Sequence, residues 1–411
     1  MMTEIQFDNV DSILTSFGEL TDPRSHINRL HLFGDLLVIS IMAVIAGADG
    51  PQAIGIWAKH HQTWLKKHLV LPHGVPSHDT FGRLLGLLKP AAFQKCFEAW
   101  IRSIAPLDKE TDLNQIAIDG KVLKRSHDRK RKLGPLWLVS AWSVDRSLSL
   151  GQLATDEKSN EITAIPELLE NIEVQGAVVT IDAAGCQREI ARKIIDGHGD
   201  YLLALKGNQG KLYEAVTDYI LLHMENDFAD IPARRFTETL HGHGRVDEIT
   251  YYQMPVPKDL VNREKWPGLK TIGVAIRQSE SGSKTSSVAR FYIGSIALGV
   301  KKFARYVRGH WAIENTLHWC LDVTFREDEN RVRERTTADN LAWLKRFALS
   351  MLKQQDDKYS IAMRRRVAGW DLDYLAKILG IHVPSCAFAV TPTHPKLTPQ
   401  SARCACTRSC L

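Results

Sequence analysis

The sequence predicts an α/β protein: a mixed β-sheet flanked by helices, with a β-rich insertion and a helical N-terminal domain. Three observations predict it. Residues 1–105 carry apolar side chains at helical spacing. From about residue 112 the pattern changes to short alternating or apolar runs in the order β-β-β-α-β-α-β. Meandering strands followed by strand–helix–strand units build a mixed sheet covered by helices. Residues 207–290 then hold further strand-like runs, before helical spacing resumes to about residue 380.

The N-terminal region opens with an apolar run, Leu36–Ala48, of 13 residues. A membrane span needs about 20, so this run reads as a buried helix. An amphipathic stretch, Ile54–Leu69, follows, with Trp57 and Trp64 and a polar face of Lys59, His60, His61, Lys66 and Lys67. A Pro/Gly turn, Leu71–Pro76, separates it from a helix led by Ser77-His78-Asp79-Thr80, where Ser77 suits the N-cap and Asp79 the first turn. These helices fit a DNA-binding helix–turn–helix or a small capped bundle; the residues alone favour the bundle.

Three strands are expected at Gln115–Leu123, Leu136–Val144 and Leu148–Thr155. Ile162, Ile165, Leu168, Leu169 and Ile172 then repeat at helical spacing, with Pro166 setting a start or a kink. Ala177–Asp182 reads as a strand, Cys186–Ile195 as a helix and Tyr201–Leu205 as a strand. The insertion holds strand-like Arg245–Met254, Lys270–Gln278 and Ser286–Ile296. A long helix spans roughly Gly299–Leu321, and further helices run to about Leu379. Residues 384–411 hold four prolines and no periodicity, and are expected to be disordered.

The formal net charge of +6 permits a polyanionic partner without demanding one. Clustering says more: seven of the twelve residues from Lys121 to Lys132 are Lys or Arg, including Arg129-Lys130-Arg131-Lys132. Smaller basic groups lie at Arg331/Arg333/Arg335 and Arg364-Arg365-Arg366. Alone, such runs are more often solvated faces than nucleic-acid sites. Cys96, Cys186 and Cys320 read as buried thiols. Cys386, Cys404, Cys406 and Cys410 lack the spacing of a zinc site. Met1–Val10 lacks a basic-then-apolar leader. The protein is therefore expected to be cytoplasmic, with no membrane partner.

Three acids sit where acids are disfavoured. Asp119 falls inside an apolar strand and Asp182 ends another. Propensity opposes Asp within a strand, and a buried carboxylate needs a partner. On the long helix, Val300, Phe303, Val307 and Leu321 fall within about 40° of Glu314 at 100° per residue, so Glu314 is expected to project from the apolar stripe towards the sheet. In a ribonuclease-H-like sheet the first and fourth strands are neighbours, which would set Asp119 beside Asp182. Charges about 4 Å apart repel by about 4 kcal/mol at an effective dielectric of roughly 20. Divalent cations resolve that conflict, since Mg²⁺ prefers oxygen ligands. Taken singly, each acid fits a structural role as well: a strand-end turn, a helix-leading acid, half of an ion pair. Asp119-Gly120 also occurs in nucleotidyl-transferring ligases, but Ala117 stands where their lysine belongs. No phosphate-binding or dinucleotide glycine pattern is present.

Seven strings occur in an informative order. They are Leu20-Thr21-Asp22-Pro23-Arg24, Ser77-His78-Asp79-Thr80-Phe81, Ile118-Asp119-Gly120-Lys121, Lys158-Ser159-Asn160-Glu161-Ile162, Asp182-Ala183-Ala184-Gly185-Cys186-Gln187, Leu205-Lys206-Gly207-Asn208-Gln209 and His310-Trp311-Ala312-Ile313-Glu314-Asn315. In these the sequence resembles the H-repeat-associated insertion-sequence transposases, a branch of the bacterial DDE transposases with a β-rich insertion before the Glu. The resemblance runs from about residue 11 to 380. It implies a ribonuclease-H-like catalytic domain over residues 112–380, a helical domain over 1–105 that helps bind element ends, and the triad Asp119, Asp182 and Glu314. Many relatives place an Arg four residues before the Glu and a Lys seven after it; here those places hold His310 and Leu321, while Tyr306 and Arg308 lie out of that register.

The expected function is DNA cleavage at element ends and strand transfer into target DNA. The triad would bind two Mg²⁺, for which Mn²⁺ can substitute. The partners would be double-stranded DNA, both terminal inverted repeats and target, with a homodimer in the DNA complex. Lys121, Lys206, Asn208, Gln209, Arg308, His310 and Asn315 are the candidate DNA contacts. Gly309, which costs about 1 kcal/mol against Ala inside a helix, would mark close backbone approach to DNA. Two rivals stand beside this reading: a metal nuclease of the same fold that does not join strands, and a DNA-binding relic without catalysis. Inverted repeats with flanking target duplications would separate the first rival from a transposase.

Overall fold

In Gln115–Leu123 (β1), alternate side chains go to opposite faces, and each face meets a different layer. Ile116 and Ile118 join one apolar cluster, while Ala117 joins another. The computed structural model describes residues 15–27, 29–104, 114–128, 131–155, 161–242, 245–281 and 284–380. Helices Phe33–Ile45 (α1), Pro51–His60 (α2), His78–Leu87 (α3) and Pro90–Ile104 (α4), with a single helical turn at Gln62–Leu65, precede β1 among the described residues. Leu136–Ser143 (β2) and Leu148–Thr155 (β3) complete a meander. Glu161–Asn171 (α5), Val178–Ile181 (β4), Arg188–Asp196 (α6) and Asp200–Leu205 (β5) follow, all close to expectation.

The insertion departs from its expected form. It opens with a helix, Gly210–Met224 (α7), and contains a strand, Arg234–Gly242 (β6), besides Arg245–Pro255 (β7), Thr271–Ser281 (β8) and Lys284–Gly294 (β9). It does not form a sheet of its own. β9 pairs antiparallel with β5, giving one nine-stranded sheet of order β3-β2-β1-β4-β5-β9-β8-β7-β6. Only β1/β4 and β4/β5 pair in parallel among these neighbours.

One face of the sheet is covered by α5, α6 and α7 through Leu168, Ile190, Ile194, Val216 and Ile220. On the other face lies Val300–Ile313 (α8), with Phe303, Ala304 and Val307 against Val178, Leu202, Tyr251 and Tyr292. Its axis continues through Glu314–His318 and Trp319–Val323. Arg335–Lys353 (α9), Ile361–Trp370 (α10) and Leu372–Ile378 (α11) end the described chain.

The boundary expected near residue 105 divides element types but not the core. Leu36–Ile45, Phe81, Phe97 and Trp100 share one apolar cluster with Trp343, Phe347, Leu349 and Ile378. Phe97 lies 5.0 Å from Trp343 and Trp100 4.5 Å from Phe347, ring centre to ring centre.

Several local expectations hold. Ser77 takes the N-cap position of α3, though its hydroxyl approaches Thr80 Oγ1 at 3.2 Å rather than capping a backbone N–H. Cys96, Cys186 and Cys320 are buried thiols. Among the described residues no helix is long and apolar enough to cross a membrane. Arg364-Arg365-Arg366 is no basic patch. Arg364 and Arg365 are buried, donating to the carbonyls of Leu352, Val44, Ala48 and Thr324 and pairing with Asp357 and Asp49. Arg129 and Lys130 of the basic loop and the tail 384–411 with its cysteines lie outside the described residues.

Candidate active site

β1 and β4 set the first two acids. Their parallel register pairs Ala117 with Thr180 and Ile118 with Ile181, so the next step along both strands brings Asp119 level with Asp182. Period-two alternation puts Gln115, Ala117, Asp119 and Lys121 on the face covered by α8. The Asp119 carboxylate is 22% exposed, and its Oδ1 accepts the Gly120 N–H at 2.9 Å. Burial, followed by the Asp182 charge, pushes its pKa up to about 7; the Gly120 N–H opposes the shift, and the Glu314 and Glu161 charges add to it. Asp182 is exposed, with Oδ1 accepting from the N–H groups of Ala184 at 3.0 Å and Gly185 at 3.3 Å. That turn leads into α6.

The third acid is set by a latch. Gln115 Nε2 donates to the Tyr306 carbonyl at 2.7 Å and to Thr180 Oγ1 at 3.0 Å. One side chain thereby ties β1, β4 and α8 together. Gly309 makes room for this contact: a Cβ there would fall 2.8 Å from Gln115 Cδ. Directly after α8, Glu314–His318 forms a π-helical turn. Such turns widen the helix by one residue and recur at functional sites. Glu314 is exposed, whereas the helical wheel aimed it along the buried stripe. Glu314 stands at the C-terminal end of the stripe that holds Phe303 and Val307, and its charge still reaches Asp119.

Two residues not singled out from the sequence join the site. His318 Nδ1 lies 3.5 Å from Asp119 Oδ2. Burial, then the Arg346 and Lys121 charges, push its pKa down to about 3, so the ring is neutral and the contact is no ion pair. Its Nε2 is enclosed without a hydrogen-bond partner. Its spacing of four from Glu314 was the available signal. Glu161, buried at the start of α5, reaches Gly120 from the opposite face of the sheet; a Cβ at Gly120 would fall 2.7 Å from Glu161 Cδ. Its only trace in the sequence is the string Lys158–Ile162.

The candidate DNA contacts separate into groups. Lys206 and Asn315 are exposed. Arg308 is exposed and pairs with Glu238 at 2.8 Å. Asn208 Nδ2 donates to the Ala183 carbonyl at 2.6 Å and Gln209 Nε2 to that of Cys186 at 2.8 Å, bracing the segment after Asp182. His310 hydrogen-bonds the Thr180 backbone, and burial holds its pKa down at about 4. Lys121 is buried, with Nζ 2.6 Å from Asp322, 3.0 Å from Glu327 and 3.5 Å from Asp328; these carboxylates are its partners in the free chain. Glu327 also meets Arg346 at 2.8 Å. Burial alone would raise Glu327, but the Arg346, Lys121 and Lys345 charges hold it at about 2.

Among the described residues no three His, Cys, Asp or Glu side chains are gathered at metal-binding spacing. The donor chemistry nevertheless fits a hard divalent cation. The donors are carboxylate oxygens, Asp119 holds a proton unusually tightly because of burial and the acids around it, and the neighbouring imidazole carries no charge to offset them.

A family model described as transposase DDE domain matches residues 110–351, and one described as DDE_Tnp_1-associated matches residues 14–101. The chain belongs to the DDE transposase family, in its H-repeat-associated branch. "H repeat-associated putative transposase YhhI" of Escherichia coli strain K12 is 38% identical over 357 residues, 85% of this chain and 92% of the relative. "Putative transposase YncI" of Escherichia coli O157:H7 is 36% identical over 376 residues, 90% and 95% of the two chains. A cryo-EM structure of the piggyBac transposase synaptic complex with hairpin DNA aligns with TM-score 0.36 and 10% identity, covering 98% of this chain and 85% of that one.

Proposed function

We propose that this chain is an insertion-sequence transposase that cuts DNA at element ends and joins the freed ends to target DNA. The observation that carries the reading is the β1/β4 register, which sets Asp119 level with Asp182 while Glu314 lies close enough to raise the Asp119 pKa. The partial order β3-β2-β1-β4-β5, antiparallel then parallel, supports a ribonuclease-H-like core. Asp119, Asp182 and Glu314 would hold Mg²⁺, two ions in the full site, with Mn²⁺ as a substitute. Bound there, divalent cations supply charge neutralisation at the attacking and leaving oxygens of an in-line displacement.

The chain's own residues do the rest. The Gln115 latch fixes the helix that carries Glu314 above the strand ends. Asn208 and Gln209 hold the segment after Asp182. Neutral His318 keeps its Nδ1 edge against Asp119 without adding a charge that would repel a cation. Water would attack the phosphorus at the element end, releasing a 3′-hydroxyl; that hydroxyl would attack a target phosphodiester and displace the target's 3′-oxygen. Exposed Lys206, Arg308 and Asn315 would contact the DNA. The helices of residues 33–104 would help hold the element ends, with two copies of the chain in the complex.

Asp119→Asn, Asp182→Asn and Glu314→Gln keep side-chain size but remove a charged oxygen. Each is expected to bind a transposon-end duplex and fail to nick or join it in Mg²⁺. Parent-like cutting by all three refutes the reading. If Glu314→Gln cuts while Asp322→Asn or Glu327→Gln does not, the third acid lies in the Lys121 network instead.

A further inference from the structure

We propose that Arg290, on the last strand of the insertion, is a DNA-binding residue of the cutting site and grips a backbone phosphate beside the one being cut. This rests on the DNA-cutting reading above and adds a residue to it. Strand register puts Arg290 there. Ile181 of β4 stands opposite Leu203 of β5, and β5 in turn sets Ala204 opposite Tyr292 and Leu205 opposite Phe291 of β9. One step beyond these pairs, Asp182 is level with Ala204, and Arg290 with Lys206. Val178, Ala204 and Tyr292 pack in the apolar cluster beneath α8, so by period-two alternation Asp182, Lys206 and Arg290 share that face. The ends of β1, β4, β5 and β9 thus carry Asp119, Asp182, Lys206 and Arg290 in a row: two acids, then two cations. Arg290 stands two strand spacings across from Asp182 and two residues along, roughly 12 Å between Cα atoms.

An exposed arginine on a strand is usually just solvated. This one is held. It is exposed, yet its guanidinium lies over the Trp311 ring, 4.8 Å from the ring centre. Arg290 and Trp311 both present donors to the buried Tyr292 hydroxyl. Trp311 comes three residues before Glu314, so the arginine is braced against the helix that leads to the third acid. The ring attracts the cation through its face and leaves in-plane N–H donors for another partner. Arg305 and Arg308 on α8 are paired with Asp145 and Glu238, whereas among the described residues no carboxylate pairs with Arg290. A fixed fork of donors with no acid of its own suits an anion with two oxygens to offer, and a phosphodiester has two.

The test is binding of the full chain, in EDTA, to a duplex carrying the element end, titrated at several salt concentrations. A matched set of duplexes carries a neutral methylphosphonate at one phosphate at a time. In the parent, one such phosphate is expected to weaken binding about tenfold, the scale of a charge-assisted hydrogen bond. It should lie within about four nucleotides of the cut, the reach of roughly 12 Å at about 3.4 Å per step. Arg290→Gln should lose that tenfold on unmodified DNA, become indifferent to that methylphosphonate, and lower the salt slope by about one unit. Arg290→Lys keeps the charge without the fork, so it should restore the slope and bind between the two. Melting establishes that each variant is folded; if Arg290→Gln is not, a reduced sensitivity of Arg290→Lys at the same phosphate carries the test. A parent indifferent to every phosphate in that span, or a folded Arg290→Gln with parent-like slope and sensitivity, overturns the role of Arg290. Cutting by Asp119→Asn in Mg²⁺ tests the underlying reading separately: parent-like cutting strikes the reading itself, whereas its loss leaves the reading standing whatever Arg290 does.

Discussion

Replacing Asp119 with Asn should stabilise the metal-free protein and destroy its response to Mg²⁺. The carboxyl has an ordinary pKa of 3.8 and is raised to about 7 in the fold. A raised acid contributes stability that is complete below the unfolded value and is lost as pH rises through the folded one. From 3.8 to about 7 is about three decades in proton affinity, each worth about 1.4 kcal/mol, so the ionised group opposes folding by at most about 4 kcal/mol at pH 8. Because the side chain is 22% exposed, water and salt screen part of this, and about 2 kcal/mol is the working figure. Asn retains an oxygen for the Gly120 N–H. Melting at pH 8 in EDTA should therefore place Asp119→Asn about 2–3 °C above the parent, with the gap closing towards pH 4. At a hundredfold excess over its Kd, Mg²⁺ should return about 2.7 kcal/mol to the parent and almost nothing to the variant. The two melting curves should then exchange order. A variant that melts below the parent in EDTA, or gains as much from Mg²⁺, refutes the electrostatic account of the site.

Other perturbations address separate parts of the architecture. Gly120→Ala should cost about 1–3 kcal/mol by overpacking against Glu161, and adding Glu161→Ala should recover most of it in urea denaturation; no recovery would mean that the two do not touch. Gly309→Ala should push α8 off Gln115 at a similar cost and slow DNA cleavage more than it weakens DNA binding, read in parallel cleavage and gel-shift assays. Arg346→Met takes one cationic partner from buried Glu327, which should cost about 3–5 kcal/mol in the same denaturation. Converting exposed Arg131 and Lys132 to Ala should reduce the salt slope of DNA binding by about one unit for each phosphate they neutralise; an unchanged slope would make the basic loop a solvated hairpin tip.

The strands around the acids were legible because both sheet faces bury them, so apolar runs mark their limits: β1 and β3 fall at the expected residues. β6 was not, since Arg234–Gly242 lies at the sheet edge and is largely exposed, leaving little apolar alternation. α7 was lost among its strand neighbours even though Leu212, Val216 and Ile220 are spaced by four. Asp119 and Asp182 were readable as acids in apolar strands. Glu314 was assigned to the right helix, but its exposure was not legible, because helical phase gives the direction of a side chain and not whether another element covers it. The partners of Lys121 and Arg365 were not legible, for a shared reason. Sequence shows that a cation is present, and only tertiary structure brings Asp322 and Glu327, or the carbonyls of Val44 and Ala48, to meet it.

The aromatic contact of Phe97 and Trp100 with Trp343 and Phe347 has a consequence for synthesis. A ribosome releases α1–α4 long before α9 exists, so the first helices emerge with their apolar faces uncovered and must wait for some 240 further residues to be made. At about 5–20 residues per second that wait lasts on the order of 10–50 seconds. A message broken anywhere before α9 would yield a chain that cannot close its own core. Truncated copies of such a gene should accumulate as aggregates or be degraded, rather than persist as folded proteins competing with the intact one for DNA.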